Sequence, residues 1–335
     1  MKVLLTGSAG FLGRRIARSL LQQGVTDLRL LVRSQPPAGL VAELQRDFPA
    51  AGIEVVSANL LLAGSLPALL QGVDTVVHAA AGMKGAAADM FANTVVASRN
   101  VFAAAGAAGV RRVVLISSFS VYRTFELRRG ALLADDTALE PVGADKGPYG
   151  YAKTRQEHLL AEYRRQFGFE TVVLRPGVIY GPGGGALSPR VGLKVMGWFV
   201  SLGGGALLPL TYVENCADAV ALAALRAPDG ASFSVVDDDL PTCRAYLRAY
   251  RRSVQRLRVI PLPRFAFRLA AAWMLRYHRR SKGQLPAVFT PFTLRSMFTP
   301  LRYTNQGLKA LGWRPAVATA EGMKRTFAWL RQQPR

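Results

Sequence analysis

Cysteine is nearly absent: Cys216 and Cys243 are the only two in 335 residues, and they lie far apart. That excludes a disulfide framework and a zinc knuckle, so no metal site is expected, and it suits a reducing cytoplasm. Acids are scarce too, with 21 Asp and Glu against 43 Lys and Arg, for a net charge of +22. No uninterrupted apolar run is long enough to span a bilayer. The amino terminus carries one lysine and passes straight into a strand-like run. It lacks a secretion signal's basic start, apolar stretch and small-residue cleavage site, so a cytoplasmic protein is expected.

The acids are scarcest at the end. From Arg244 onward there are 17 Arg and 3 Lys against Glu321 alone, so 19 of the 22 excess charges lie there. Either a basic compositional bias has gathered on a solvated surface, or this region attracts something anionic. A phosphorylated ligand and a membrane surface stay open. Nucleic acid is not expected, because no recognition motif accompanies the charge.

Half of the residues are hydrophobic, and the chain is long enough for one large or two interlocked domains. Lys2 to Thr6 reads as a buried strand, and Arg14 to Gln23 as an amphipathic helix. Between them stand Gly7, Gly10, Phe11, Leu12 and Gly13. A glycine-rich turn from strand to helix lets backbone amides approach a pyrophosphate at the helix N-terminus. The second strand, Leu28 to Val32, ends in Arg33 with no acid nearby. An acid there would hold the ribose hydroxyls of NAD; an arginine suits the extra phosphate of NADP, so NADP(H) is favoured over NAD(H), with Arg14 as a second phosphate contact.

Strands and helices then alternate. Ile53 to Val56, Asp74 to Val77, Val113 to Ile116, Thr171 to Leu174 and Ser232 to Val236 read as strands. The Asp74 to Val77 strand runs into His78-Ala79-Ala80, whose small residues let a ribose lie close, and His78 reads as structural rather than catalytic. Asp135, Asp136 and Glu140 read as solvated loop. Such alternation predicts an α/β fold, a Rossmann doubly wound parallel sheet. Residues 1–182, with 211–237 returning to them, would bind the dinucleotide. Residues 183–210 and 238–335 would form a smaller, mostly helical C-terminal substrate-binding region.

Tyr149 and Lys153 are one helical turn apart and share a face. A phenol ionises near pH 10, and an ammonium beside it pulls that value down. The pair can thus exchange a proton with a carbonyl. Tyr151 points elsewhere.

Taken together, the Thr6 to Gly13 loop, His78-Ala-Ala, Ser117-Ser-x-x-Val-Tyr122, Tyr149 with Lys153, and Arg175-Pro-Gly-Val-Ile-Tyr-Gly-Pro182 carry a resemblance. The chain resembles the extended short-chain dehydrogenase/reductases, the NAD-dependent epimerase/dehydratase family, from Lys2 to about Pro315. Tyr212-Val-Glu-Asn-Cys-Ala-Asp218 and the basic last half look most like its 3β-hydroxysteroid dehydrogenase-like branch. The resemblance implies that Ser118 and Tyr149 hold the substrate oxygen, and that Lys153 binds the nicotinamide ribose. It also implies that backbone near Pro176 and Val178 holds the carboxamide. Asn59 and Leu60 fall where the family touches adenine, with Asn59 in place of the usual aspartate. Phe119 and Ser120, where dehydratases carry acids, argue against dehydration.

The expected activity is hydride transfer to or from a hydrophobic ketone or secondary alcohol of sterol, polyketide or lipid type. A nucleotide-sugar epimerase with the same triad and a non-catalytic NADP(H) sensor are the alternatives. Leu187, Val191, Val195, Trp198 and Phe199 read as an apolar lid or as ordinary core. In Pro263 to Lys282, Phe267, Ala270, Trp273, Met274 and Tyr277 share one side of a helical projection, opposite Arg264, Arg268, Arg276 and Arg279. That pattern fits a helix packed against the lid or one lying on an anionic membrane. A homodimer through helices flanking the sheet is a further expectation of the resemblance.

Overall fold

Lys2–Thr6 (β1) is almost wholly apolar, and every residue after the first is buried, so this strand is covered on both faces. In the computed structural model, which describes residues 1–36, 38–83, 85–142, 147–262, 266, 269, 273, 276, 277, 280 and 291–333, β1 lies inside a seven-stranded parallel sheet. The other early strands are β2 (Asp27–Val32), β3 (Gly52–Ser57), β4 (Thr75–His78) and β5 (Arg112–Ile116). A short β6 (Leu132–Leu133) precedes β7 (Glu170–Pro176) and β8 (Val178–Tyr180). Then follow β9 (Gly192–Val195), β10 (Trp198–Ser201), β11 (Leu210–Tyr212), β12 (Ser232–Val235) and β13 (Val259–Pro261).

The large sheet runs β12-β7-β5-β4-β1-β2-β3. Chain order reverses between β1 and β4, which opens a crevice at their carboxyl ends, where doubly wound sheets take their ligands. Helices cover both faces. On one side, α1 (Gly13–Gln22) packs Ile16 and Leu20 against buried Val220 and Ala224 of a later helix, Val213–Arg226. On the other, Leu66–Leu70, Ala97–Ala107 and Gly147–Phe167 enclose Phe102, Val113, Leu115 and Leu160. Burying a side chain such as Phe102 contributes roughly 1.5–3 kcal/mol. The expected sheet and its strands are all present. The helix Leu40–Asp47 was not foreseen, because only Leu40 and Leu44 of it are buried and one turn of periodicity carries little signal.

The stretch after Pro182 is not only helical. β9 and β10 form an antiparallel hairpin, and β13 joins β10 in parallel, giving a three-stranded sheet. Val195 pairs directly with Trp198, so Met196 and Gly197 alone make the turn. Both have positive φ, 47° and 82°, which gives a two-residue turn the twist that matches its strands. Of the expected lid residues, Val191 and Phe199 are buried in a core with Leu208 and Tyr246, whereas Val195 and Trp198 are exposed.

Most of Pro263 to Lys282 lies outside the described residues, including Phe267, Ala270 and Met274. Trp273 and Tyr277 are described; they stack at 5.7 Å and are exposed. Among the described residues, no helix is long and apolar enough to cross a membrane.

Candidate active site

Ser118 stands just past the end of β5, in extended backbone, and its hydroxyl oxygen accepts from the Ser120 amide at 3.2 Å. That leaves the Ser118 proton free to donate. Tyr149 lies in the first turn of Gly147–Phe167 and is hydrogen-bonded through its hydroxyl to Ser118. Burial pushes the Tyr149 phenol above its ordinary 10.0, and the bond from Ser118 opposes that only in part. The sequence led us to expect the reverse, a phenol lowered by Lys153. The reason lies in where the ammonium goes.

Lys153 is buried one turn further on. Its Nζ donates to the Ile116 carbonyl at 2.8 Å and to Gln156 Oε1 at 2.9 Å. Burial pulls this ammonium down to about 8, with Glu157 holding it up. From Gln156 the contacts continue inward. Gln156 Nε2 donates to Ser98 Oγ at 2.7 Å, and His78 Nε2 meets the same oxygen at 2.8 Å. His78 Nδ1 meets Thr6 Oγ1 at 2.8 Å, which in turn accepts from the Ala80 amide at 3.3 Å. Burial drives His78 down to about 3, with the Lys153 charge adding to the effect. The helix that carries Tyr149 is thereby tied to the ends of β1 and β4.

A second tie is ionic. Arg175 Nε and Nη2 donate to the two oxygens of Glu157 at 3.0 and 2.9 Å, and both side chains are buried. The guanidinium also lies 5.0 Å over the Tyr122 ring. This fork clamps the Tyr149 helix to β7.

The crevice between β1 and β4 fits a dinucleotide. At Gly7, φ is 69° and a Cβ would stand 2.8 Å from the Ala80 amide nitrogen. A Cβ on Gly13 would collide with the Gly7 carbonyl, so the loop stays close to the start of α1. A helix start leaves amides without carbonyl partners, a ready anion site. Arg15 braces this loop by donating to the carbonyls of Phe11 at 2.9 Å and Pro182 at 2.7 Å. Two buried polar atoms, Arg14 Nε and Ser117 Oγ, have no hydrogen-bond partner among the described residues.

A sequence profile described as the NAD dependent epimerase/dehydratase family matches residues 3–235. The chain belongs to that family. Its members are NAD(P)-dependent enzymes that act at alcohol and ketone groups, and this chain is such an enzyme. It is 30% identical to a 2-alkyl-3-oxoalkanoate reductase of Stenotrophomonas maltophilia, across 98% of this chain and 99% of that one. It is 29% identical to 4-hydroxy-2-methyl-3-oxo-4-farnesyl-3,4-dihydroquinoline-1-oxide ketoreductase of Stigmatella aurantiaca, across 74% of this chain and 71% of that one. Thermus thermophilus UDP-glucose 4-epimerase, solved with NAD, shares the fold with a TM-score of 0.71, 22% identity and all of both chains covered.

Within this family frame, the other expected residues fall as follows. Asn59 lies exposed two residues past the end of β3, with Leu60 partly buried beside it, and Asn59 Oδ1 accepts from the Leu61 amide at 3.1 Å. Ala79 and Ala80 line the crevice against Gly7. Arg33 is exposed at the end of β2, and its Nη2 donates to Asn93 Oδ1 at 2.6 Å. His78 is set apart from any cofactor contact through its side chain, since both ring nitrogens are committed to Thr6 and Ser98. The Val178 amide, expected near a carboxamide, donates instead to the Pro209 carbonyl at 2.6 Å because β8 pairs with β11; Pro176 remains at the end of β7. Asp135 is not solvated loop: its carboxylate accepts from the Ser234 amide at 2.5 Å, and burial raises its pKa. Gln156, Glu157, Ser98 and Arg175 escaped attention as site residues. Gln156 and Glu157 had a signal, lying three and four residues past Lys153 on its own helix face.

Proposed function

We propose that the chain is an NADP(H)-dependent reductase of a hydrophobic ketone, worked by Ser118, Tyr149 and Lys153. One observation carries this reading: the Ser118 and Tyr149 hydroxyls are hydrogen-bonded at the carboxyl end of β5, with Lys153 one turn away. A carbonyl oxygen seated between the two hydroxyls accepts from both. Ser118 polarises it. Tyr149 is held protonated at neutral pH by its raised pKa and gives its proton as negative charge develops on that oxygen. A tyrosine so held is an acid, which suits reduction. Bound in this crevice, the nicotinamide supplies the hydride.

In this reading the Gly7 to Gly13 amides take the pyrophosphate, and Asn59 and Leu60 flank adenine. Arg33 leaves Asn93 for the ribose phosphate, with the unpartnered Arg14 Nε as a second contact. Lys153 reaches the nicotinamide ribose. Residues 1–182 with 211–237 hold the cofactor, and 183–210 with 238–335 cover the substrate. A ketone on a hydrophobic body is the substrate class best supported, because two reductases similar to this chain are named for a 2-alkyl-3-oxoalkanoate and for a farnesyl-bearing 3-oxo-dihydroquinoline oxide. A nucleotide-sugar epimerase is the second reading. The neighbour with that activity shares the fold, and a basic last quarter suits a sugar diphosphate.

The test is NADPH absorbance with 2-alkyl-3-oxoalkanoates of increasing chain length, repeated with NADH. Steady NADPH loss, faster with longer chains, is expected. A flat trace from protein that binds NADPH would contradict the reductase reading and turn attention to nucleotide sugars.

A further inference from the structure

The β9–β10 hairpin puts an apolar residue where its backbone least tolerates one. Met196, at φ 47°, is the one non-glycine residue with positive φ among the described residues. That position is ordinarily given to Asn, Asp or Gly. Met196 is also 95% exposed, so burial does not compensate the strain. Val195 and Trp198, paired beside it, are exposed as well, and Ile260 on neighbouring β13 adds to the same apolar surface.

Charge of one sign adjoins this hairpin through Arg258. Arg248, Arg251, Arg252, Arg256 and Arg258 line one open groove, and no carboxylate is among its lining residues. The Arg258 guanidinium lies 5.9 Å over the Trp198 ring, and its carbonyl accepts from the Phe199 amide at 2.8 Å. Hairpin and groove therefore share a wall. Further along the chain, Leu269, Trp273 and Tyr277 sit one helical turn apart and are exposed.

We propose that this face docks on an anionic lipid surface. The Val195-Met196-Trp198 tip enters the headgroup region, and the arginine groove holds lipid phosphates. A polyanion in water would attract the arginines but leave the apolar tip in water; a lipid interface takes both. Docking is separate from the reaction, so its readout does not depend on the substrate.

The experiment is sedimentation of the full chain with vesicles of phosphatidylcholine, alone or mixed with phosphatidylglycerol. The protein should pellet with the mixed vesicles, stay in solution with the neutral ones, and be released by salt. Met196→Asn suits the turn better, so it should keep or raise the melting temperature yet weaken vesicle binding roughly tenfold. The triple variant Arg251→Glu, Arg252→Glu, Arg256→Glu should abolish binding while NADPH affinity holds. No pelleting with either vesicle would overturn the proposal. So would unchanged binding by Met196→Asn, or binding to heparin and duplex DNA alone, which would assign the face to polyanions.

Discussion

His78 and Lys153 are joined through two buried side chains, Ser98 and Gln156, and the protons along that chain are determined. Ser98 donates its one proton to the Thr94 carbonyl at 2.5 Å, so His78 must donate to Ser98 from Nε2. His78 Nδ1 is then an acceptor, and Thr6 donates to it while taking the Ala80 amide. Gln156 gives its amide to Ser98 and turns its carbonyl to the Lys153 ammonium. Both ring nitrogens of His78 are used, one as donor and one as acceptor, and the histidine is neutral.

That neutrality has a pH consequence. The unfolded chain takes up a proton at His78 below about 6.5, and the folded chain not until about 3. This group's contribution is therefore intact above 6.5 and lost as pH falls toward 3, approaching about 1.4 kcal/mol per pH unit. His78→Gln should remove that slope. Urea unfolding of both proteins at falling pH checks it: the stability gap between them should narrow on acidification, and a constant gap would contradict the assignment.

Gln156 should set the alkaline limit of reduction. Activity is expected to fall as pH rises through about 8, where Lys153 loses its charge. Gln156→Leu removes an acceptor from the ammonium and should move that limb lower; Gln156→Glu should move it higher. A merely structural role would lower activity at every pH and leave the limb in place.

The Arg175–Glu157 fork predicts an asymmetry. Arg175→Met strands a buried carboxylate and should cost about 3–5 kcal/mol, whereas Arg175→Met with Glu157→Leu should recover much of it. Thermal or urea unfolding of the two variants decides, and equal losses would mean that the fork is not what the single change breaks.

Arg33→Ala tests cofactor choice. Losing a charged contact to the ribose phosphate should weaken NADPH roughly tenfold or more and leave NADH unchanged. Equal weakening of both, measured by fluorescence titration, would mean that Arg33 acts through Asn93 instead.

The sheet was legible because its strands are buried on both faces and read as apolar runs, as at Val113 to Ile116. The glycine loop was legible because Gly7 and Gly13 admit no side chain. Less was visible where partners are remote in the chain. No local pattern joins His78 to Gln156, and Lys153 was assigned to its helical neighbour Tyr149 when closer acceptors, Ile116 and Gln156, were waiting. The hairpin was missed because its turn is Met196-Gly197 rather than an Asn-Gly pair.

The central claim is that Tyr149 delivers the proton. The direct measurement is NADPH oxidation with a long-chain 3-oxoalkanoate by wild type and Tyr149→Phe, with NADPH affinity measured alongside. Turnover should drop at least about 100-fold while cofactor affinity stays the same. Near-normal turnover by the phenylalanine variant would contradict the account.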